Sequence, residues 1–492
     1  MRTFMRLIAV ASTFGLVAGA AACSDDDTTS NPSPTPAPTT APTNTPPAAG
    51  GAKLRVVHAS PDAPAVDVWV KGIDAPIVSG AKYGDASPYI DVPEGTYTIE
   101  LRAAPSKATD PIAFSVEGVT VPKDAKITAI AAGFLASKDG ADQFRIIPLA
   151  EKFDPAGDKA QVRIVHASAD APTVGIDVGN DDPAAPEVPA LERFKDTGAA
   201  GVGLPAGQPL QVGIVAGGAR VTAFTTPALP AGGELFVIAT GRLGKLPREA
   251  DGFSLLAVGP TGAIGFIKQN PTVYALHACA DAPAVDIFAG PAELADNLAF
   301  GGISKPIQVP PGSYTLDIFA HAAGSARPAG DPVSAQPTGA LAAGERYLAV
   351  AKGLLAGNPA FGLAAFADEF DTKDAARGRL RVIHASPDAP AVDIGVVNGQ
   401  AISPVLIPGL VPDAATGGAG LGVDPSTYTL GVTPMGQNNT IVNSFTVPVA
   451  AGHRVFVVAA GALDTNKGQG FRLLAVDTVA SPWAVATING NN

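Results

Sequence analysis

The sequence predicts an all-β protein with four tandem immunoglobulin-like antiparallel β-sandwich domains, which follow a signal peptide and a disordered tether. First, the stretch HASPDAPAVD, His58 to Asp67, returns unchanged from His384 and in altered form from His166 and His277. Second, short segments alternate apolar and polar residues, as half-buried strands do. Third, the 492 residues include 55 Gly and 46 Pro, which favour turns and short strands over long helices.

The first 22 residues are predicted to be a signal peptide. Arg2 and Arg6 precede an apolar run from Leu7 to Ala22, which is too short and too rich in Ala and Gly for a membrane span. The small residues before Cys23 resemble a bacterial lipoprotein signal, in which the cysteine is lipidated on sulfur. Ala20 departs from that pattern, where Leu is usual. The alternative is an ordinary cleavage site that leaves Cys23 unmodified.

Residues 23–51 are predicted to be a disordered tether. Pro and Thr dominate it, and no apolar periodicity is present, so an extended and solvated chain is expected. A tether is useful when one end is held in a bilayer. Ser24 rather than Asp follows the cysteine, which favours the outer membrane or the cell surface. Without lipidation the protein would be secreted.

The four motif histidines, His58, His166, His277 and His384, lie 108, 111 and 107 residues apart. This period exceeds the roughly 20–50 residues of solenoid repeats and suits an independent small domain. Other segments keep the same phase, including VPEGTYTIEL from Val92 and AKITAIAAGFLA from Ala125. We therefore expect repeats at 52–155, 159–268, 271–373 and 378–488, each with about seven strands.

The combination of a strand followed by HA[SC][PA]DAPxV, a later P-x-G-x-Y-T strand and a strand ending in A-x-G-x-L resembles the bacterial domain-of-unknown-function family 4397. The resemblance covers the chain from Lys53 to about Ala484. It implies secreted or surface-attached β-domains, often in tandem. It implies no activity.

Composition limits the partners of this protein. The net charge is -12, and no Lys/Arg-rich run could neutralise a phosphate backbone, so we expect no nucleic-acid binding. Two cysteines in unrelated settings exclude a disulfide framework. No cofactor is expected. The predicted partners are the membrane, through the lipid anchor, and an envelope protein or a glycan.

The repeated motif is interpreted as a structural corner. His58 ends the apolar face of a strand, and Ser60-Pro61-Asp62 has the chemistry of a turn. A half-buried imidazole that bonds Asp62 or a corner amide would fix this connection. One histidine and one aspartate persist in every copy, and any weak ligand site would have to use them: His58 and Asp62, His166 and Asp170, His277 and Asp281, His384 and Asp388.

A catalytic triad of Ser60, His58 and Asp67 is the first alternative, but Cys279 replaces the serine in the third copy and Gly175 the aspartate in the second. A metal site at His58, Asp62 and Asp67 is the second alternative, although one histidine and two carboxylates are an incomplete set of ligands without others from elsewhere in the chain. We expect neither catalytic residues nor a metal.

Two further residues attract attention. Cys279 is interpreted as a tolerated small residue, with a redox or cross-linking role as the alternative. Trp69 lies opposite Val66, Val68 and Val70, so it is expected at the surface, in a domain contact or as a sugar platform.

These features predict a non-enzymatic, lipid-anchored cell-envelope protein that acts as a surface spacer, a scaffold or a multivalent binding array. A carbohydrate- or other ligand-binding surface protein is the first alternative. A metal-dependent enzyme that uses the His–Asp corners is the second.

Overall fold

The regular structure of the described residues consists of 34 β-strands and one 3-10 turn at Thr465–Lys467. The computed structural model describes residues 51–138, 140–324 and 326–491. The predicted signal peptide, Cys23 and the tether up to residue 50 lie outside these ranges. Within the ranges no helix has the length and apolar content needed to cross a membrane.

The strands fall into four groups, which we call modules 1 to 4. Module 1 contains β1 (Ala52–His58), β2 (Val66–Val70), β3 (Val78–Ala81), β4 (Ile90–Val92), β5 (Gly95–Ala103), β6 (Phe114–Val121), β7 (Lys126–Ala132) and β8 (Arg145–Ala150). Module 2 contains β9 (Ala160–His166), β10 (Val174–Val178), β11 (Val188–Leu191), β12 (Val202–Leu204), β13 (Gln211–Ala216), β14 (Ala219–Thr225), β15 (Glu234–Thr240), β16 (Ser254–Gly259) and β17 (Gly262–Ile267).

The second half of the chain repeats this pattern. Module 3 contains β18 (Thr272–His277), β19 (Val285–Ala289), β20 (Ala292–Leu298), β21 (Ile307–Gln308), β22 (Gly312–Ala320), β23 (Ser334–Leu341), β24 (Arg346–Lys352) and β25 (Gly362–Ala367). Module 4 contains β26 (Gly378–His384), β27 (Val392–Asn398), β28 (Ala401–Leu410), β29 (Leu421–Val423), β30 (Ser426–Pro434), β31 (Asn443–Val449), β32 (Arg454–Ala460), β33 (Arg472–Asp477) and β34 (Ala484–Ile488).

Each module is a sandwich of two sheets. The first sheet holds the first strand of the module, in the orders β4-β1-β7-β8, β12-β9-β15-β16-β17, β21-β18-β24-β25 and β29-β26-β32-β33-β34. The second sheet holds the second strand, in the orders β3-β2-β5-β6, β11-β10-β13-β14, β20-β19-β22-β23 and β28-β27-β30-β31. The predicted all-β sandwich class is confirmed, with eight or nine strands per module rather than about seven.

One strand pair in each module departs from the expected antiparallel arrangement. The first strand runs parallel to its neighbour in β1–β7, β9–β15, β18–β24 and β26–β32, whereas the other strand pairs are antiparallel. Parallel neighbours need a long connection. Here that connection is the whole second sheet, so a local hairpin pattern in the sequence could not reveal the pairing.

Apolar side chains from the two sheets meet in the middle of each module. In module 1, Val56 of the first sheet packs with Val68 and Leu101 of the second, and all three are buried. These residues alternate with residues that face the other way, as the period of a strand requires.

The outer face of each first sheet is also buried, because the modules pack in pairs. Val57 and Ile130 of module 1 share one cluster with Val165 and Ile238 of module 2. A second cluster unites modules 3 and 4: it contains Tyr274, Leu276, Leu348, Val350, Ile383, Phe456, Val458, Leu474 and Trp483. Each first sheet is therefore apolar on both faces.

The contacts in a pair are reciprocal. Arg55 of β1 donates to the backbone oxygen of Gly259, the last residue of β16, and Arg163 of β9 donates to that of Ala150, the last residue of β8. The two arginines occupy equivalent positions, as do the two acceptors. In modules 3 and 4, Tyr274 takes the place of the first arginine and stacks on Trp483, with ring centroids 4.3 Å apart.

Polar contacts join the two pairs of modules. The Gln308 side chain accepts from the amide of Ala223 at 2.7 Å and donates to the backbone oxygen of Asn270 at 3.0 Å. Thr372, between modules 3 and 4, donates to Glu249 of module 2 at 2.8 Å. The described chain from residue 51 onward thus belongs to one compact unit.

Candidate functional site

The repeated corner connects the first strand of each module to the second, and its histidine is buried in all four copies. The imidazole Nε2 faces a proline carbonyl oxygen six residues later. The distances are 3.1 Å for His58–Pro64, 2.8 Å for His166–Pro172, 3.0 Å for His277–Pro283 and 3.1 Å for His384–Pro390. A carbonyl only accepts, so Nε2 carries the proton and Nδ1 is an acceptor in the neutral ring.

The aspartate of the corner binds a different part of the module. Asp62 accepts from the amides of Leu135 and Ala136, at 2.8 and 2.9 Å, in the connection between β7 and β8. The same contacts recur from Leu355 and Ala356 to Asp281, from Leu463 and Asp464 to Asp388, and from Leu243 alone to Asp170. The carboxylate thus fastens the corner to a loop about 75 residues away in sequence.

The serine of the corner joins the same contact. Ser60 Oγ donates to the carbonyl oxygen of Gly133 at 2.7 Å, and Ser386 does the same to Gly461. Gly133 has a φ of +87°, and a Cβ there would lie 2.3 Å from the oxygen of Gln143, so only glycine fits. This explains the invariant glycine of the A-x-G-x-L pattern among the four copies.

The expected hydrogen bond from the imidazole to Asp62 or to a corner amide is not formed. The imidazole bonds a carbonyl, and the carboxylate points towards the loop after the seventh strand, where it meets two amides. The histidine and the aspartate therefore stabilise the corner from two sides, and they do not form one bonded pair. The sequence showed that both recur, but the distant loop could not be inferred from it.

Burial controls the ionisation of these groups. Burial lowers the pKa of His58, His166 and His277, and the proline carbonyls offset this only in part. Burial alone would raise the pKa of Asp281 and Asp388, but hydrogen bonds from backbone amides outweigh it, so both values are lowered. The neutral ring and the charged carboxylate are thus the favoured forms.

The corner geometry does not match a catalytic triad. Ser60 donates to Gly133 and to Asp62, and Asp67 accepts from Gly80 and Ser106 instead of orienting His58. In module 3 the Cys279 thiol is buried, and burial with the nearby Asp281 carboxylate raises its pKa to about 12. A thiol with such a pKa is a poor nucleophile near neutral pH.

A second buried carboxylate supports the start of the second sheet. Asp67 accepts from the amides of Gly80 and Ser106, each at 2.7 Å. Asp286 and Asp393 make the equivalent contacts in modules 3 and 4, to Asn297 and Ala322 and to Gly409 and Gly436. The carboxylate of Asp67, considered for catalysis and for metal binding, is thus occupied by backbone amides.

One cluster in module 3 brings together residue types that bind metals. Ligand atoms of Asp286, Asp296 and His321 lie within 4.8 Å of one another. His321 Nδ1 is 2.8 Å from Asp286, which also accepts from two backbone amides. The equivalent carboxylates, Asp67 and Asp393, accept from backbone amides in modules that lack the histidine. We therefore interpret the cluster as a structural contact to which His321 has been added. Neither His321 nor Asp296 belongs to the repeated motif, so no sequence pattern pointed to this cluster.

All four corners lie within two stretches of the chain that match a known protein family. The domain of unknown function DUF4397 matches residues 30–177 and 271–395, more than half of the chain. The chain belongs to the DUF4397 family. Each match runs through one module into the second strand of the next, so it contains two corners. No curated protein matches the chain.

Trp69 is not at the surface of its DUF4397 module, contrary to expectation. Its side chain is buried, its indole donates to Ser106 at 3.0 Å, and Arg102 lies over the ring at 5.2 Å. The loop from 104 to 110 covers the face of β2 that carries Trp69, which the alternating sequence pattern had predicted to be exposed to solvent. Trp69 therefore offers no open ring face to a sugar, and its hydrogen bond and its cation–π contact are with residues of its own module.

The four DUF4397 modules differ in how well the space between their sheets is filled. A cavity of about 300 Å³ lies between the sheets of module 4, compared with about 120 Å³ in module 2 and about 60 Å³ in module 1. Protein interiors rarely contain voids larger than a water molecule. Sequence patterns give the direction of each side chain but not the volume left between sheets, so the cavity could not be predicted.

Proposed function

We propose that this protein is a non-enzymatic, lipid-anchored envelope protein that serves as a rigid scaffold, held away from the membrane by its Pro/Thr tether. The observation that supports this best is the burial of all four first sheets in two reciprocal pairs. If the modules were independent, the outer faces of those sheets would be exposed to solvent. Buried arginines at the pair contact, such as Arg55 and Arg163, oppose sliding because separation would leave their hydrogen bonds unmade.

The contacts of the corners support a non-enzymatic role. In each copy the imidazole Nε2 bonds a carbonyl and the carboxylate bonds backbone amides, which leaves Nδ1 as the one unpartnered position of the pair among the described residues. This atom is buried in every copy, so it is not open to a reactant in the solvent. A general base needs a free reacting position within hydrogen-bond reach. The lowered pKa values of Asp281 and Asp388 fit carboxylates that accept hydrogen bonds from backbone amides, and they do not fit general acids that must carry a proton near neutral pH.

The sequence before residue 51 supports the anchor. Cys23 follows a short apolar run and small residues, and a Pro/Thr-rich segment separates it from module 1. Stable attachment requires more than one acyl chain, which lipidation at this cysteine would supply. The tether would then set the distance between the bilayer and the scaffold.

Metabolic labelling with an alkyne fatty acid tests the anchor. The full chain should incorporate label and sediment with membranes, whereas Cys23→Ser should lose both properties. Cys279→Ser is the matched control and should keep them. Labelling that survives in Cys23→Ser, or a soluble unlabelled wild-type protein, would contradict the anchor.

Limited proteolysis with proteinase K tests the scaffold. The tether should be removed, and a single fragment that starts near residue 51 should resist cleavage, since the connections between modules lie in one compact unit. A ladder of fragments about one module in size would show independent domains and contradict the rigid arrangement.

A further inference from the structure

We propose that module 4 binds a small, uncharged, mainly aliphatic molecule between its two sheets. The inference goes beyond the scaffold function and does not depend on the anchor. It rests on the size of the cavity, the chemistry of its walls and the residues at its mouth.

The size of the cavity suits a ligand. At about 300 Å³ it lies at the lower limit of the range of ligand pockets. With ~30 Å³ for each water-sized group, it would hold about ten non-hydrogen atoms. An apolar cavity of about half this volume stays dry and takes up benzene or xenon in an engineered protein. Water is therefore a poor occupant of this space.

The walls select against charge. No Asp, Glu, Lys or Arg is among the 25 residues that line the cavity. Both sheets contribute aliphatic side chains, including Val382 and Val457 from the first sheet and Ile394 and Leu430 from the second. A charged group placed here would lose its hydration without a partner.

His384 is the one ionisable residue of the lining other than Tyr428, whose hydroxyl donates to the Asp424 carbonyl. The Nδ1 atom of His384 is buried and has no hydrogen-bond partner among the described residues. In the neutral ring with Nε2 donating to Pro390, Nδ1 is an acceptor, which suits a hydroxyl group better than a carboxylate. The same atom is unpartnered in His58, His166 and His277. The cavity between the sheets is about 30 Å³ in module 3, so the volume of the cavity and not this atom distinguishes module 4.

Three of the lining residues are exposed to solvent, and we infer that they surround the entrance to the cavity. Val442 and Leu463 line the cavity and are 56% and 55% exposed, and Pro390 is exposed beside them. These residues bring apolar surface to the solvent where an aliphatic molecule could enter. Module 4 also has the longest third strand: β28 has 10 residues, whereas β3 has four.

Isothermal titration with 1-decanol tests the proposal on the mature chain carrying Cys23→Ser, purified without detergent. Wild type should bind one molecule per chain and gain thermal stability. Ala459→Leu, which fills the cavity from β32, should weaken binding about tenfold or more while it keeps or raises the melting temperature. Sodium decyl sulfate, of the same chain length but charged, should bind more weakly than decanol.

The matched control is a pair of surface variants. Leu463→Asp should weaken decanol binding, whereas Leu243→Asp, at the equivalent loop position in module 2, lies outside the cavity linings described above and should not. Absence of binding to wild type would overturn the proposal. So would equal binding by Ala459→Leu with an intact fold, or equal effects of the two aspartate variants.

Discussion

The guanidinium of Arg163 donates a hydrogen bond to the backbone oxygen of Ala150, 2.7 Å away across the boundary between modules 1 and 2. Arg381 makes the same contact with Ala367 in the second pair, also at 2.7 Å. Both arginines precede the motif histidine by three residues. The position that faces away from the sandwich core is therefore where the modules recognise each other.

Replacing Arg163 with alanine should lower the free energy of unfolding by about 2 kcal/mol, because the Ala150 carbonyl and the Asp196 carboxylate both lose a donor. Urea denaturation followed by tryptophan fluorescence measures this loss. Arg377→Ala is the control: Arg377 forms an exposed ion pair with Asp424, and its loss should cost less than about 1 kcal/mol. Equal losses from the two variants would contradict a structural role for the buried contact.

Asp388→Ala should destabilise module 4 by about 2 kcal/mol, since the amides of Leu463 and Asp464 lose their acceptor. Asp388→Asn should recover part of this, because its one amide oxygen still accepts. Hydrogen exchange should rise first at those two amides. Asp424→Ala, with a side chain 77% exposed, should leave them protected. Unchanged protection in Asp388→Ala would show that the carboxylate does not hold the loop.

Stability should fall as the pH drops below about 6.5. The pKa values of His58, His166 and His277 are lowered on folding, so the unfolded chain binds more protons in that range and is favoured. The carboxyl groups of Asp281 and Asp388, with lowered pKa, contribute stability that is lost only below about pH 3.8.

Urea midpoints at pH 8, 6.5 and 5.5 measure the histidine effect. His277→Asn removes one titrating group and should reduce the fall in midpoint between pH 6.5 and 5.5. A midpoint that stays constant or rises on acidification over this interval would contradict buried neutral rings.

Cys279 should react slowly with Ellman's reagent at pH 8 in the folded chain, because the thiol is buried and its pKa is about 12. In urea the reaction should become fast. The measurement uses Cys23→Ser to leave one thiol, and an added Leu463→Cys, at a position 55% exposed, supplies a fast control. Rapid labelling of folded Cys279 would restore the redox interpretation.

The sequence was sufficient for the fold class and the family. Period-two segments such as Tyr97–Leu101, repeated in phase with the four histidines, predict β-sandwiches, and the structure confirms them. That the His–Asp corners are structural stays a prediction. The contacts of Asp62 with Leu135 and Ala136 support it.

What the sequence did not reveal depends on contacts between distant segments. Alternation shows that Arg55 and Val57 face away from Val56, but not that another module covers that side. It places Trp69 opposite Val68, but not beneath the loop of Ser106. The void in module 4 is the space that many side chains from both sheets leave unfilled, and no local sequence pattern gives that volume.

The reciprocal pairing has a consequence for a chain with a different number of modules. A polypeptide with one copy would present the equivalents of Val57 and Ile130 to water, an apolar surface that favours association. Two such chains could satisfy each other through a twofold axis, since residue i meets residue j in both directions. By the same argument, a chain with an odd number of modules should form a homodimer, whereas one with an even number can pair its modules internally.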